Sequence, residues 1–179
     1  MKPDIEIWNL EFLYYRKYRP KKFSELFGLE IAAKVLQNAL NRKEFPHAFL
    51  FYGPRGTGKT STARIVAKSI NCLSFSPKSL EPCGKCSNCV AFENDSFIDL
   101  IEIDAASNRG IDDVRSLKEK SILSPSQGKY KVYVIDEVHM MTKEAFNALL
   151  KTLEEPPSHC SFILCTTEKE RIPATIISR

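Results

Sequence analysis

Gly53-Pro54-Arg55-Gly56-Thr57-Gly58-Lys59-Thr60, followed at once by Ser61, fills every position of the pattern G-x-x-x-x-G-K-[ST]. Residues 47–52 (HAFLFY) read as a strand leading into it, and residues 59–71 carry Ile65, Val66 and Ile70 at helical spacing behind it. That order of strand, glycine loop and helix is the context in which the pattern carries a mechanism. Glycines let the backbone wrap closely around phosphate oxygens, so that successive N–H groups and the helix N-terminus face the anion. Lys59 is expected to reach the β and γ phosphates and Thr60 to offer its hydroxyl to Mg²⁺, with residues 53–61 as a whole holding ATP. The bland reading is a glycine turn that merely joins strand to helix.

The same alternation extends outward from the loop. Residues 30–43 place Ile31, Val35, Leu36 and Leu40 at helical spacing before it. After it, residues 99–103, 131–135 and 161–165 read as strands, while 111–123 and 142–154 read as helices. The second of these has Thr142 as N-cap and is stopped by Pro156 and Pro157. Strands alternating with helices imply a parallel sheet covered on both faces, the three-layer α/β architecture of a P-loop NTPase.

The strand Val132-Tyr133-Val134-Ile135 ends in Asp136 and Glu137, which puts two carboxylates at the carboxyl end of a parallel sheet, where α/β ligands bind. They fit a Walker B element. Asp136 would hold Mg²⁺ through water, and Glu137 would orient and polarise the attacking water. An acidic pair can also simply cap a strand at the surface. The last strand ends in Thr166-Thr167, either of which could sense the γ-phosphate; threonine in a strand is otherwise ordinary, and only the family resemblance that follows favours Thr167.

Cys72, Cys83, Cys86 and Cys89 are spaced C-x10-C-x2-C-x2-C within residues 72–94, a stretch rich in Pro, Gly and Ser with no long apolar period. It reads as an insertion into the α/β pattern. Four thiolates suit a tetrahedral Zn²⁺ with no open position, a structural rather than catalytic metal; an iron–sulfur cluster also takes four cysteines. Cys160 and Cys165 read as small buried hydrophobes of the last strand.

The 179 residues are 43% hydrophobic and 27% charged, a globular composition of one-domain size. The longest apolar runs are strand-sized, well short of the ~20 residues that cross a bilayer. The opening MKPDIEIWNLEF has neither the apolar stretch nor the cleavage site of a secretory signal, so the expected address is cytoplasmic. The net charge of +4 fits a polyanionic partner without identifying one.

Taken together with Tyr15-Arg-Lys-Tyr-Arg-Pro20, Glu102-Ile-Asp-Ala-Ala-Ser107, Asp136-Glu-Val-His-Met140, the run 146–157 and Ile177-Ser-Arg179, these motifs resemble the gamma/tau clamp-loader ATPase family of bacterial DNA polymerase III. The four-cysteine insertion is the discriminating feature. The resemblance implies a AAA+ domain that binds ATP at subunit interfaces of a hetero-oligomeric ring, opens a sliding clamp and closes it on primed DNA. It implies that Tyr15, Arg19 and Pro20 lie near the adenine, and that Arg109 and Arg115 meet DNA phosphates; without it, such arginines read as a solvated face or salt bridges. It also implies that Arg179 reaches the ATP of a neighbouring subunit in trans, as arginine fingers do. A fifth strand beside the phosphate-loop strand, a helical lid and a collar follow that arginine in the family, and the sequence is expected to lack them.

Two other classes compete. A nucleotide-locked scaffold of the delta-prime type shares the fold and the insertion but has no use for a catalytic carboxylate such as Glu137. A zinc-dependent nucleic-acid-binding protein would need basic and aromatic residues crowded around the cysteines, where Lys78, Lys85 and Phe92 are sparse.

Overall fold

The computed structural model describes residues 17–41, 46–76 and 78–178. Tyr15 and Arg179 lie outside the described residues.

Four strands, β1 (Ala48–Tyr52), β2 (Leu100–Asp104), β3 (Lys131–Asp136) and β4 (Cys160–Thr166), form one parallel sheet in the order β1-β4-β3-β2. Phe49 lies beside Ile163, Tyr133 beside Phe162 and Asp104 beside Asp136. Parallel neighbours require crossovers, and helices supply them: α1 (Glu30–Leu40) precedes β1; α2 (Lys59–Ile70) and α3 (Ser87–Glu93) link β1 to β2; α4 (Ile111–Ile122) links β2 to β3; and α5 (Lys143–Glu154) links β3 to β4. A short helix, α6 (Ala174–Ile177), follows β4.

The central strands are buried along their length because helices cover both faces, which is why their sequences are continuous apolar runs rather than alternating ones. Period-two alternation still sorts their side chains. Tyr133, Ile135, Phe162 and Leu164 pack with Val114 and Leu117 of α4 and with Phe146, Leu149 and Leu153 of α5. On the opposite face, Val132, Val134, Ile163 and Cys165 meet Ala63, Ile65, Val66 and Ala67 of α2 and Ala33 and Leu36 of α1. Each such large apolar side chain contributes about 1.5–3 kcal/mol by leaving water. The two cores make the three layers, and they fix the strand ends that carry the site.

Local signals set the helix starts. Thr142 Oγ1 accepts the Ala145 N–H at 3.2 Å, and Asp113 Oδ2 accepts the Gly110 N–H at 3.0 Å, ahead of a first turn that also carries Asp112. Carboxylates there offset the positive end of the helix dipole. α2 differs, since its first turn has no acidic residue.

Observed elements lie within a few residues of the expected ones. Two helices go beyond the expected elements, α6 after the last strand and α3 within the cysteine stretch. Ala91 and Phe92 enter the core beside α2, and Phe92 stacks on Phe97 with ring centroids 4.2 Å apart. Residues 72–94 are therefore held in part by the core, because two adjacent apolar side chains, Ala91 and Phe92, anchor a helix too brief to show a period. Cys160 and Cys165 are buried, as their apolar surroundings suggest. Among the described residues no helix is long and apolar enough to cross a membrane.

Candidate nucleotide and metal sites

The chain leaves β1 at Tyr52 and turns through residues 53–58 into α2. Gly56 and Gly58 make the turn possible at φ +81° and +82°, in the left-handed region closed to most side chains. Gly58 is the N-cap of α2, whose first turn carries no acidic residue of its own, so the free N–H groups of the helix start face the loop. Thr57 Oγ1 donates to the Pro54 carbonyl at 2.8 Å and steadies the loop from within. Lys59 Nζ donates to the Gly53 and Pro54 carbonyls at 2.8 and 2.9 Å, which keeps the ammonium curled over the loop. Arg55 is exposed and Ser61 is buried under the helix start.

The ends of the other strands converge on this loop. Thr60 Oγ1 donates to Asp136 Oδ2 at 2.6 Å, and Asp136 Oδ1 accepts the Glu137 N–H at 3.0 Å. Glu137 itself is left-handed at φ +47°, a conformation uncommon outside glycine. Thr167 Oγ1 donates to Glu137 Oε2 at 3.3 Å. Thr166 is fully buried, accepts the Glu168 N–H at 3.0 Å and lies 3.0 Å from His139 Nδ1. Of the two threonines, Thr167 is thus the one that meets the carboxylate pair. His139 and Glu168, which no reading of the sequence singled out as site residues, complete this cluster. The signal for His139 is its place in the motif 136–140, two residues after Glu137.

The remaining expected contacts are dispersed. Arg19 and Pro20 line a cleft of about 480 Å³ together with Arg64, Lys68, Glu93 and Glu102, and no residue of 53–61 lines it. Lys68, almost wholly buried, donates to Glu93 Oε1 at 2.8 Å; this hydrogen bond, against some burial, holds the Glu93 carboxyl below its ordinary range. Arg109 and Arg115 are exposed, and Arg115 Nη1 pairs with Asp112 at 3.0 Å one helical turn back.

The sulfurs of Cys72, Cys83, Cys86 and Cys89 all lie within 4.8 Å of one another. Zn–S bonds of about 2.3 Å in a tetrahedron separate the sulfurs by about 3.8 Å, and Cys83 Sγ and Cys89 Sγ are 3.9 Å apart. Backbone N–H groups of Lys85 and Cys86 point at Cys83 Sγ at 3.4 and 3.3 Å, and these bonds lower its thiol pKa to about 6. Burial pushes the Cys89 and Cys72 thiols up. At Cys86 burial also works against the thiolate, but the N–H groups of Cys89 and Leu73 outweigh it and the thiol is lowered. N–H donors turned onto sulfur suit a thiolate–metal centre, and the donor set fits zinc.

Comparison with known proteins supports this architecture. The tau subunit of DNA polymerase III from Bacillus subtilis is 58% identical over 92% of the chain, and the tau subunit from Escherichia coli is 49% identical over 92%. The chain spans only 29% and 25% of those two proteins. Among solved structures, a gamma subunit-related protein of DNA polymerase III from Thermotoga maritima matches with a TM-score of 0.59 and 25% identity, over 82% of this chain and 43% of that one. The RuvB Holliday junction branch migration motor of the same organism matches in fold, with a TM-score of 0.58 at 23% identity over 90% and 46% of the two chains. The fold is that of a AAA+ P-loop domain. A family model described as "DNA polymerase III, delta subunit" matches residues 28–179, most of the sequence, and the chain belongs to that family.

Proposed function

We propose that this chain binds and hydrolyses ATP as a gamma/tau-type subunit of a clamp loader in DNA replication, using the energy to place a sliding clamp on primed DNA. The observation that carries the reading is the convergence of Thr60, in the first turn of α2, with Asp136, Glu137 and Thr167 at the carboxyl ends of β3 and β4. A structural strand cap needs no such meeting of separate elements.

In this reading residues 53–61 bind the phosphates, and Lys59 turns from the Gly53 and Pro54 carbonyls to the β and γ phosphates. Thr60 and Asp136 would hold Mg²⁺, whose chemistry is to neutralise charge on the phosphate oxygens. Glu137 orients and polarises the attacking water, and Thr167 senses the γ-phosphate while fixing Glu137. Tyr15, Arg19 and Pro20 remain the proposed adenine contacts, Arg109 and Arg115 the proposed DNA contacts, and Arg179 the residue given in trans to a neighbouring subunit. The four cysteines hold a structural zinc. The ring's other subunits, the clamp and DNA are the partners, and the cytoplasm is the proposed location.

The description of the matching family names a delta subunit, which favours a second reading, a non-hydrolysing scaffold. Lys59, Thr60, Asp136 and Glu137 weigh against it, since a scaffold has no need of a water-activating carboxylate. Steady-state hydrolysis in the assembled loader, compared with Glu137→Gln at equal ATP binding, separates the two. A large loss in the variant supports the motor; equal rates leave the scaffold.

A further inference from the structure

We infer that His139 is a positioning residue for Glu137, tying the water-activating carboxylate to the loop that follows β4; the inference rests on the ATPase reading above. His139 stands in the short 3-10 turn Val138–Met140 directly after Glu137, and its side chain is only 6% exposed. Both ring nitrogens are engaged. Nδ1 lies 3.0 Å from Thr166 Oγ1 and 3.5 Å from Glu137 Oε2, while Nε2 lies 3.3 Å from Glu168 Oε1. Glu168 is held in turn, because its Oε2 pairs with Arg171 Nε at 2.8 Å and its own N–H is bound to Thr166 Oγ1.

This arrangement answers a need created by the backbone. A left-handed φ of +47° aims the Glu137 side chain, but three side-chain torsions leave its carboxylate free to swing unless something holds it. Thr167 Oγ1 donates to Glu137 Oε2, and His139 Nδ1, anchored on Thr166 Oγ1, stands 3.5 Å from the same oxygen. Fixing one oxygen leaves Oε1 to meet a water. The imidazole acts at one remove, through Glu137, and it joins that carboxylate to Thr166, Glu168 and Arg171. A shift of the loop bearing the phosphate-facing Thr167 is thereby felt at Glu137 from two sides. Hydrolysis by positioning is sensitive to errors of about 1 Å, which can cost about a hundredfold in rate.

The test is kcat and KM for ATP hydrolysis in the assembled loader, with ATP affinity measured separately, for the wild type, His139→Ala, His139→Asn and Glu137→Gln, and for His139→Ala combined with Glu137→Gln. The inference expects His139→Ala to lower kcat about 10–100-fold with KM and affinity within about twofold. Asn, which keeps an N–H donor near the Nδ1 position, should recover much of the loss, and His139→Ala should add nothing in the Glu137→Gln background. Unchanged kcat, a loss confined to KM, or a full additional loss on top of Glu137→Gln overturns it. Should His139→Ala fold poorly, His139→Asn and His139→Gln, close in size and polar, carry the same comparison: Gln, which cannot offer the donor at that position, should be slower than Asn, and equal wild-type rates in both overturn the inference. Hydrolysis untouched by Glu137→Gln would instead sink the ATPase role itself, a distinguishable result.

Discussion

Thr60 and Asp136, 76 positions apart in the chain, share a hydrogen bond of 2.6 Å. It joins the start of the phosphate-loop helix to the end of a central strand, and each partner is a proposed holder of Mg²⁺. Asp136→Asn keeps the size and an acceptor oxygen but removes the charge that suits a divalent cation. We expect hydrolysis to fall by about a hundredfold or more, the scale of one lost electrostatic contact in a preorganised site, with a higher Mg²⁺ requirement in a metal titration. A variant that hydrolyses ATP at the same Mg²⁺ midpoint would remove Asp136 from the site.

Cys86→Ser should cost the chain its zinc. Cys86 is the N-cap of α3, its sulfur accepting the Cys89 N–H, and Phe92 of that helix sits in the core, so loss of the metal should reach the domain as well as the insertion. Metal analysis is expected to give one zinc per chain in the wild type and none in the variant. Its Tm should drop by several degrees, since about 1 kcal/mol moves Tm by about 2–4 °C in a chain of this size. Equal zinc content in both proteins contradicts the assignment of Cys86.

Lys68 and Glu93 link α2 to α3 at 2.8 Å. Because Glu93 is held below its ordinary pKa by that hydrogen bond, its contribution to stability is complete above the unfolded carboxyl range near pH 4.3 and disappears as pH falls through the lower folded value. Glu93→Gln should destabilise the protein by about 1.5–3 kcal/mol at pH 7, the range for a hydrogen bond to a charged group, and the gap should close in acid. Denaturant melts of the pair at pH 7 and pH 3 check this, and a constant gap would mean the effect is not ionic.

Glu137→Gly should stabilise the fold while ending hydrolysis. The left-handed backbone at φ +47° costs an ordinary residue about 1 kcal/mol that glycine avoids, so a gain of up to about 1 kcal/mol is expected in urea melts. A clear loss of stability would show that the contacts of the Glu137 side chain outweigh the strain.

Much of this molecule is legible in the sequence because its strands are apolar runs punctuated by motifs. The central runs 131–135 and 161–165 can only be buried parallel strands once helices separate them, and the glycine loop fixes where the ligand lies. The cysteine spacing likewise gives its own geometry away. What escaped depends on contacts between distant residues. α3 is too short for a period, and the cleft along Arg19 and Pro20 is assembled from α2, α3 and β2. His139 looks like any other residue of a turn until β4 brings Thr166 and Glu168 to its two nitrogens.

The central claim is that the glycine loop and the β3 carboxylates form one ATP site, and the most direct test is calorimetric ATP affinity, with Mg²⁺, of the wild type beside Lys59→Ala and Glu137→Gln. The account predicts that Lys59→Ala weakens binding by about 10–100-fold, the worth of a charge-assisted hydrogen bond of about 1.5–3 kcal/mol, while Glu137→Gln binds as tightly as the wild type. Wild-type affinity in Lys59→Ala would contradict it.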